Sequence, residues 1–318
     1  MYLAHFGLRE LPFSLTPDTS FFFACTNYQE GLNTLLVAAR TGEGFIKIVG
    51  EVGNGKTLLC RKFIATLNSD RTTTTAIGTQ DGGTSGRHAA KFITAYIPNP
   101  YLEPRSLLLA LAEELRIDVD SSVDQHMLLK ALTLTLLNFA REGKRVLVCL
   151  DEAQAMPLES LEVLRLLTNL ETEKRKLVQV VLFGQPELDE RLKHNSVRQL
   201  RQRISFQYQL EGLHRDEMDR YLRHRLAVAG FKGETLFKSG AVNLLQRVTH
   251  GTPRLTNIIA HKALMLAYAE GRQQVLARHV RKAAADTPEA HKDWMVWVWW
   301  GVAVVMLSAL VALGIWLR

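Results

Sequence analysis

Along the chain the spacing of apolar and polar positions changes character twice. Short apolar runs at 45–49, 92–97, 146–150 and 177–183 alternate with stretches of helical period. The run VLVCL at 146–150 lies between Lys144-Arg145 and Asp151-Glu152, as a buried parallel strand does. Helices are expected at 28–40, 56–67, 104–116, 124–141 and 158–170, with another opening at Glu187. After Gln209 the strand signals stop, and 215–229, 239–249, 253–270 and 276–285 read as helices. Strands alternating with helices, then helices alone, predict an α/β domain over 1–209 and an all-helical lid over 210–286. Pro12, Pro17 and a run of Phe make the start of the chain read as a clamp leading into the first helix. The Thr-, Gly- and Ser-rich stretch at 72–91 reads as an inserted loop.

The second change of pattern is at the end. From Trp294 to Leu317 the sequence WMVWVWWGVAVVMLSALVALGIWL carries no charge. As a helix it would extend roughly 36 Å, enough to cross a hydrocarbon core ~30 Å thick. It has no polar face for lying on a membrane surface. A single transmembrane helix at 294–317, joined by a linker at 287–293, is therefore expected. Arg278, Arg281, Lys282 and Lys292 precede it and Arg318 follows it, which places the large N-terminal part in the cytoplasm.

Composition sharpens this picture. All five tryptophans fall in the last twenty-five residues, so they mark an anchor more than a core. The mean hydropathy of −0.02 averages a polar part with one apolar helix. With 47% hydrophobic and 22% charged residues, a disordered or polytopic membrane chain is excluded. Cys25, Cys60 and Cys149 are too scattered for a disulfide framework or a zinc site. The first residues, MYLAHFGLRELPF, have no signal-peptide pattern. Net charge is +7, and between Arg198 and Lys262 twelve Lys/Arg face five Asp/Glu. A basic segment of this kind suits phosphates of a nucleotide or of nucleic acid, or is a solvated helical face.

The chemistry concentrates at Gly50, Glu51, Val52, Gly53, Asn54, Gly55, Lys56, Thr57 and Leu58, which satisfy G-x-x-x-x-G-K-[ST] between a strand and a helix. The glycines let backbone N–H groups curl around phosphates, helped by the positive end of the following helix. Lys56 is expected to reach the β and γ phosphates of ATP, and Thr57 to ligate Mg²⁺. Asp151 and Glu152 end an apolar strand about ninety residues later, where a parallel sheet presents its ligands. Asp151 then holds Mg²⁺ and Glu152 polarises the attacking water. Gln185, ending the third such strand, is a candidate to position water or sense the γ-phosphate. Arg198, Arg201 and Arg203 are candidates for a charge-stabilising arginine acting in trans. Arg254, in the Gly251-Thr-Pro-Arg opening of a lid helix, is a candidate to swing onto the γ-phosphate.

These residues, together with MYLAHFGLRELPFSLTPD, TAYIPNPYLEP, VLVCLDEAQ, LLTNLET, VLFGQPELDERL, LRQRI and GTPRLTNIIAHKALMLAY, make residues 1 to about 286 resemble the AAA+ ATPases of the general secretion pathway protein A type. Within that type the likeness is greatest to members serving MSHA pilus biogenesis. The resemblance implies a P-loop AAA+ domain with a helical lid, ATP and Mg²⁺ as cofactors, and Lys56, Thr57, Asp151 and Glu152 as the Walker residues. It makes Arg254 the second sensor arginine, places Gln185 near the first sensor, and places LRQRI near the finger. It also implies a homo-oligomer in the bacterial inner membrane, with pilus or secretion assembly proteins as partners. Members of this type pass quickly from the phosphate-loop helix to TAYIP, so the stretch at 72–91 is a departure. Secretion-type members carry a peptidoglycan-binding region beyond the span, and only Arg318 follows it here, so direct cell-wall binding is not expected. Two other readings use the same site. One is a DNA-binding AAA+ adaptor, which the basic segment and Arg87-His88 favour and the anchor opposes. The other is a nucleotide-switched scaffold with incidental turnover.

Overall fold

The computed structural model describes residues 2–16, 19–73, 91–120, 123–172 and 175–291. Most of the expected loop at 72–91 and the whole apolar stretch at 294–317 lie outside these residues. Among the described residues no helix is long and apolar enough to cross a membrane.

In chain order the elements begin with α1 (Tyr2–Phe6), α2 (Thr26–Thr41), β1 (Phe45–Gly50), α3 (Lys56–Thr73) and β2 (Lys91–Ile97). There follow α4 (Pro104–Glu114), α5 (Gln125–Arg141), β3 (Lys144–Leu150), α6 (Leu158–Thr168) and a two-rung antiparallel hairpin of β4 (Glu171–Thr172) and β5 (Arg175–Lys176). Next are β6 (Val178–Gly184), α7 (Glu187–Leu192), α8 (Arg198–Gln202) and β7 (Ile204–Leu210). Four helices close the described chain: α9 (Arg215–Val228), α10 (Ser239–Thr249), α11 (Pro253–Ala269) and α12 (Ala277–Ala285).

The chain divides into two compact units. In the unit Pro17–Glu211, five strands form one sheet in the order β2-β3-β6-β1-β7, every pair parallel. The register aligns Ile97 with Leu150, Leu150 with Leu182, Val49 with Gly184 and Gly50 with Leu210. The carboxyl ends of all five strands therefore finish on one edge. Every residue of β6 is buried, which suits the central strand of a sheet covered on both faces. On one face Leu107, Leu111, Leu128, Leu132, Leu161 and Leu164 pack against Val146, Val148, Val180 and Leu182. Each such side chain contributes about 1.5–3 kcal/mol of burial. Local signals agree: the carboxylate of Asp124 accepts from Met127 N at 2.8 Å as the cap of α5.

Strand β7 was not among the expected strands. It joins the open edge of β1, and its residues alternate between half-buried and exposed, ISFQYQL, with Leu210 buried. That period-two pattern is the mark of an edge strand with one wet face.

Among the described residues the helical unit comprises 212–291 together with 2–16. The first residues group with the helical unit rather than with the sheet. The cause is burial of Tyr2, Phe6, Leu8 and Phe13, apolar side chains that need a partner. Tyr2 Oη and His261 Nδ1 share a hydrogen bond at 2.9 Å, and Arg9 N donates to Ala229 O at 2.8 Å. Arg225 is mostly buried and donates to Pro12 O at 2.6 Å and to Ser14 O at 3.2 Å. The start of the chain is thus a strap on the helical unit.

Candidate functional site

The phosphate loop turns from β1 into α3 through two residues of positive φ, Gly53 (85°) and Gly55 (83°). At Gly55 there is a second constraint. A Cβ there would lie 1.5 Å from Tyr28 Oη, which donates to Asn54 O at 2.5 Å. Asn54 is itself buried, and its side chain donates to Leu210 O at 2.9 Å, tying the loop to the end of β7. A Cβ on Gly50 would meet the same Leu210 carbonyl at 2.6 Å. The loop is therefore held from two sides, by α2 through Tyr28 and by β7 through Leu210.

Lys56 and Thr57 open α3. The Lys56 ammonium is 5% exposed by residue and donates to Gly50 O at 2.7 Å and Glu51 O at 3.0 Å, so it lies across its own loop. Burial lowers its pKa from the ordinary lysine value, and Glu152 and Asp151 partly offset this. Thr57 Oγ1 donates to Asp151 Oδ2 at 2.5 Å. Asp151 is 2% exposed, and burial raises its carboxyl above the usual range against the opposing hydrogen bonds from Thr57 and Glu152 N. Tyr96, at the end of β2, places its hydroxyl 3.4 Å from the same Oδ2. Burial, with a smaller contribution from Asp151, pushes the Tyr96 phenol up to about 12, so it stays a neutral donor. An ammonium bonded only to carbonyls, beside a buried carboxylate and a threonine hydroxyl, fits a nucleotide phosphate and its Mg²⁺.

Glu152 follows Asp151 in a left-handed conformation, φ 53° and ψ 37°, which costs a non-glycine residue about 1–2 kcal/mol. This kink turns the Glu152 side chain toward the end of β6. There Gln185 Nε2 donates to Glu152 Oε2 at 2.9 Å, and Gln154 Nε2 donates to the same oxygen at 2.6 Å. Gln185 N in turn donates to Gln154 Oε1 at 3.1 Å. The carboxylate thus bridges the ends of β3 and β6, within hydrogen-bonding reach of two amides.

Five residues singled out in the sequence, Lys56, Thr57, Asp151, Glu152 and Gln185, come together at the carboxyl edge of the sheet. Leu58 is half-buried on α3, whereas Glu51 and Val52 are exposed at the loop tip. Arg198, Arg201 and Arg203 lie on or just after α8, all exposed, and their side chains make no hydrogen bond or ion pair among the described residues. Arg254 is the second residue of α11 in the helical unit, and exposed. The basic surplus is partly spent on pairing. Arg220 and Arg223 meet Asp216 and Asp219 one turn back on α9, and Lys262 meets Asp286. Three contributors were not singled out in the sequence: Tyr28, Tyr96 and Gln154.

The pattern of the AAA domain family matches residues 39–192. General secretion pathway protein A of Aeromonas hydrophila is 37% identical over 317 residues, covering 99% of this chain and 54% of that protein. The chain thus spans about half the length of this relative. Among solved structures, Cdc6p from Pyrobaculum aerophilum superimposes with a TM-score of 0.60 at 18% identity, covering 86% of this chain and 70% of that one. The ORC2 protein of Aeropyrum pernix, solved as ADPNP–ADP complexes, gives 0.55 at 19% identity over 81% of this chain and 66% of that one. At such identity these two likenesses concern the fold alone.

Proposed function

The chain carries an AAA ATPase domain and is related along nearly its whole length to general secretion pathway protein A; on that premise we propose that it hydrolyses ATP from an inner-membrane anchor to assemble or position a pilus or secretion machine. The observation that carries the enzymatic part is the grouping of Lys56, Thr57, Asp151 and Glu152 at one sheet edge, with Glu152 oriented by Gln185.

In this reading Lys56 exchanges its bonds to Gly50 O and Glu51 O for the β and γ phosphates. Thr57 Oγ1 and Asp151 would hold Mg²⁺, which would supply positive charge to offset that of the phosphates. Glu152 accepts a proton from the attacking water at its free oxygen, and Gln185 keeps the carboxylate turned toward the β6 end of the site. Arg201 or Arg203 from a neighbouring copy stabilises charge on the transferred group. A homo-oligomer follows from that last assignment.

Anchoring rests on the uncharged stretch 294–317 and the basic residues before it, Arg278, Arg281, Lys282 and Lys292. Kinship to general secretion pathway protein A supports secretion-related partners, and the resemblance to members serving MSHA pilus biogenesis favours a pilus. Carbonate-washed membranes should retain the full chain and release a chain ending at Asp286. Glu152→Gln, solubilised in detergent with ATP, should co-purify with envelope assembly proteins that the nucleotide-free chain does not hold. Recovery of the chain alone under both conditions would count against an assembly role.

A further inference from the structure

Glu152 is gripped at one oxygen only. Oε2 takes both side-chain amides, from Gln154 at 2.6 Å and Gln185 at 2.9 Å, whereas Oε1 accepts nothing among the described residues. Gln154 differs from Gln185 in using both ends of its amide. Its Nε2 donates to Glu152 while its Oε1 accepts Gln185 N, closing a ring of three hydrogen bonds across the ends of β3 and β6. The two contacts also fix the orientation of the amide, because a flipped group would set an oxygen against the carboxylate.

The backbone holds Gln154 in this place. Residues Ala153–Ala155 form a 3₁₀ turn in which Ala155 N donates to Glu152 O at 2.9 Å and Met156 N to Ala153 O at 3.2 Å. Ala153 and Met156 are both fully buried, and Arg191 Nη1 donates to Met156 O at 2.6 Å. The turn is thereby pinned by its apolar residues, and the polar residue between them faces the carboxylate.

We infer that Gln154 is a positioning residue for ATP hydrolysis: it holds Glu152 by Oε2, leaves Oε1 for the attacking water, and ties that orientation to the Gln185 backbone. This rests on the reading of Glu152 as the base. A group held this way loses rate when it swings by an ångström, although nucleotide affinity is set elsewhere, by Lys56 and the loop.

The test is steady-state turnover by the full chain in detergent, with fluorescent-ATP binding and thermal melting measured alongside. Gln154→Leu should lower kcat roughly 10- to 100-fold, with KM for ATP, nucleotide affinity and Tm little changed. Gln154→Glu keeps the acceptor for Gln185 N and sets a second carboxylate against Glu152. Its kcat, relative to the native chain, should be low at alkaline pH and recover as pH falls, because the protonated group donates again. Native kcat in Gln154→Leu overturns the inference. So does a loss of affinity and Tm in parallel with kcat, with Gln154→Glu following the native pH profile, which would mark a structural role. Glu152→Gln separates the two claims. If it hydrolyses ATP at the native rate, the base assignment itself fails; if it is inactive while Gln154→Leu is native, only the role of Gln154 fails.

Discussion

Thr57 Oγ1, in the first turn of α3, and Asp151 Oδ2, just past the end of β3, are joined by a 2.5 Å hydrogen bond although β6 runs between β1 and β3. The bond aims the threonine oxygen and the carboxylate at one point. Thr57→Ala should reduce Mg²⁺-dependent turnover by about two orders of magnitude, consistent with the several kcal/mol a catalytic metal supplies. It should also cost about 1–3 kcal/mol in stability, since a buried carboxylate loses a donor. A Mg²⁺ titration of turnover together with a melting curve reads both.

Asp151 places stability and activity in opposition. Its folded-state pKa is raised, burial being the main cause. Between the ordinary carboxylate value and that raised value the folded chain binds more protons than the unfolded one, so this group's contribution favours folding as pH falls. Over the same window the protonated carboxyl ceases to hold metal, and turnover should decline. Asp151→Asn should abolish Mg²⁺-dependent hydrolysis while raising nucleotide-free stability by ~0.5–2 kcal/mol. Melting temperatures of both chains across a pH series check this; a less stable Asp151→Asn would contradict it.

Gly55 is fixed by conformation and by contact. With φ at +83° and Tyr28 Oη where a Cβ would go, Gly55→Ala should destroy ATP binding. Tyr28→Phe removes the bond to Asn54 O and should cost about 1 kcal/mol, with a modest rise in Kd for ATP. Equilibrium binding of a fluorescent ATP analogue distinguishes the two.

The exposed Arg201 and Arg203 lead to a complementation test. A chain carrying Arg201→Ala and Arg203→Ala should be nearly inactive, as should Glu152→Gln. Mixing them should restore part of the activity, because one supplies the arginines and the other an intact Glu152. Native turnover per chain at high dilution, with no restoration on mixing, would argue against arginines acting in trans.

Much of the sheet was legible because buried parallel strands write themselves as unbroken apolar runs, as in VLVCL at 146–150 and the run at 177–183. Strand β7 hid because an edge strand half-exposed to solvent spells ISFQYQL, which lacks such a run. The start of the chain was visible as a clamp-like segment from its prolines and the run of Phe, but that 2–16 are buried against the helical unit depends on long-range contacts such as Arg225 to Pro12 O. At the site, the glycine spacing and the acidic pair marked the phosphate loop and Asp151-Glu152. Gln154 could not be read the same way. Only the kink at Glu152 and the turn after it bring the amide back onto the carboxylate, and side-chain direction in a 3₁₀ turn leaves no periodic trace in sequence. Tyr28 reads as one more aromatic at the start of a helix until its hydroxyl is seen against Gly55.

ATP turnover by the full chain, measured beside Glu152→Gln, decides whether this molecule is a hydrolase built on Glu152. Mg²⁺-dependent turnover in the native chain is expected, with Glu152→Gln binding ATP as tightly and turning over about 10²–10⁴-fold more slowly. Native turnover in Glu152→Gln, or none in the native chain under conditions where it binds ATP, would contradict it.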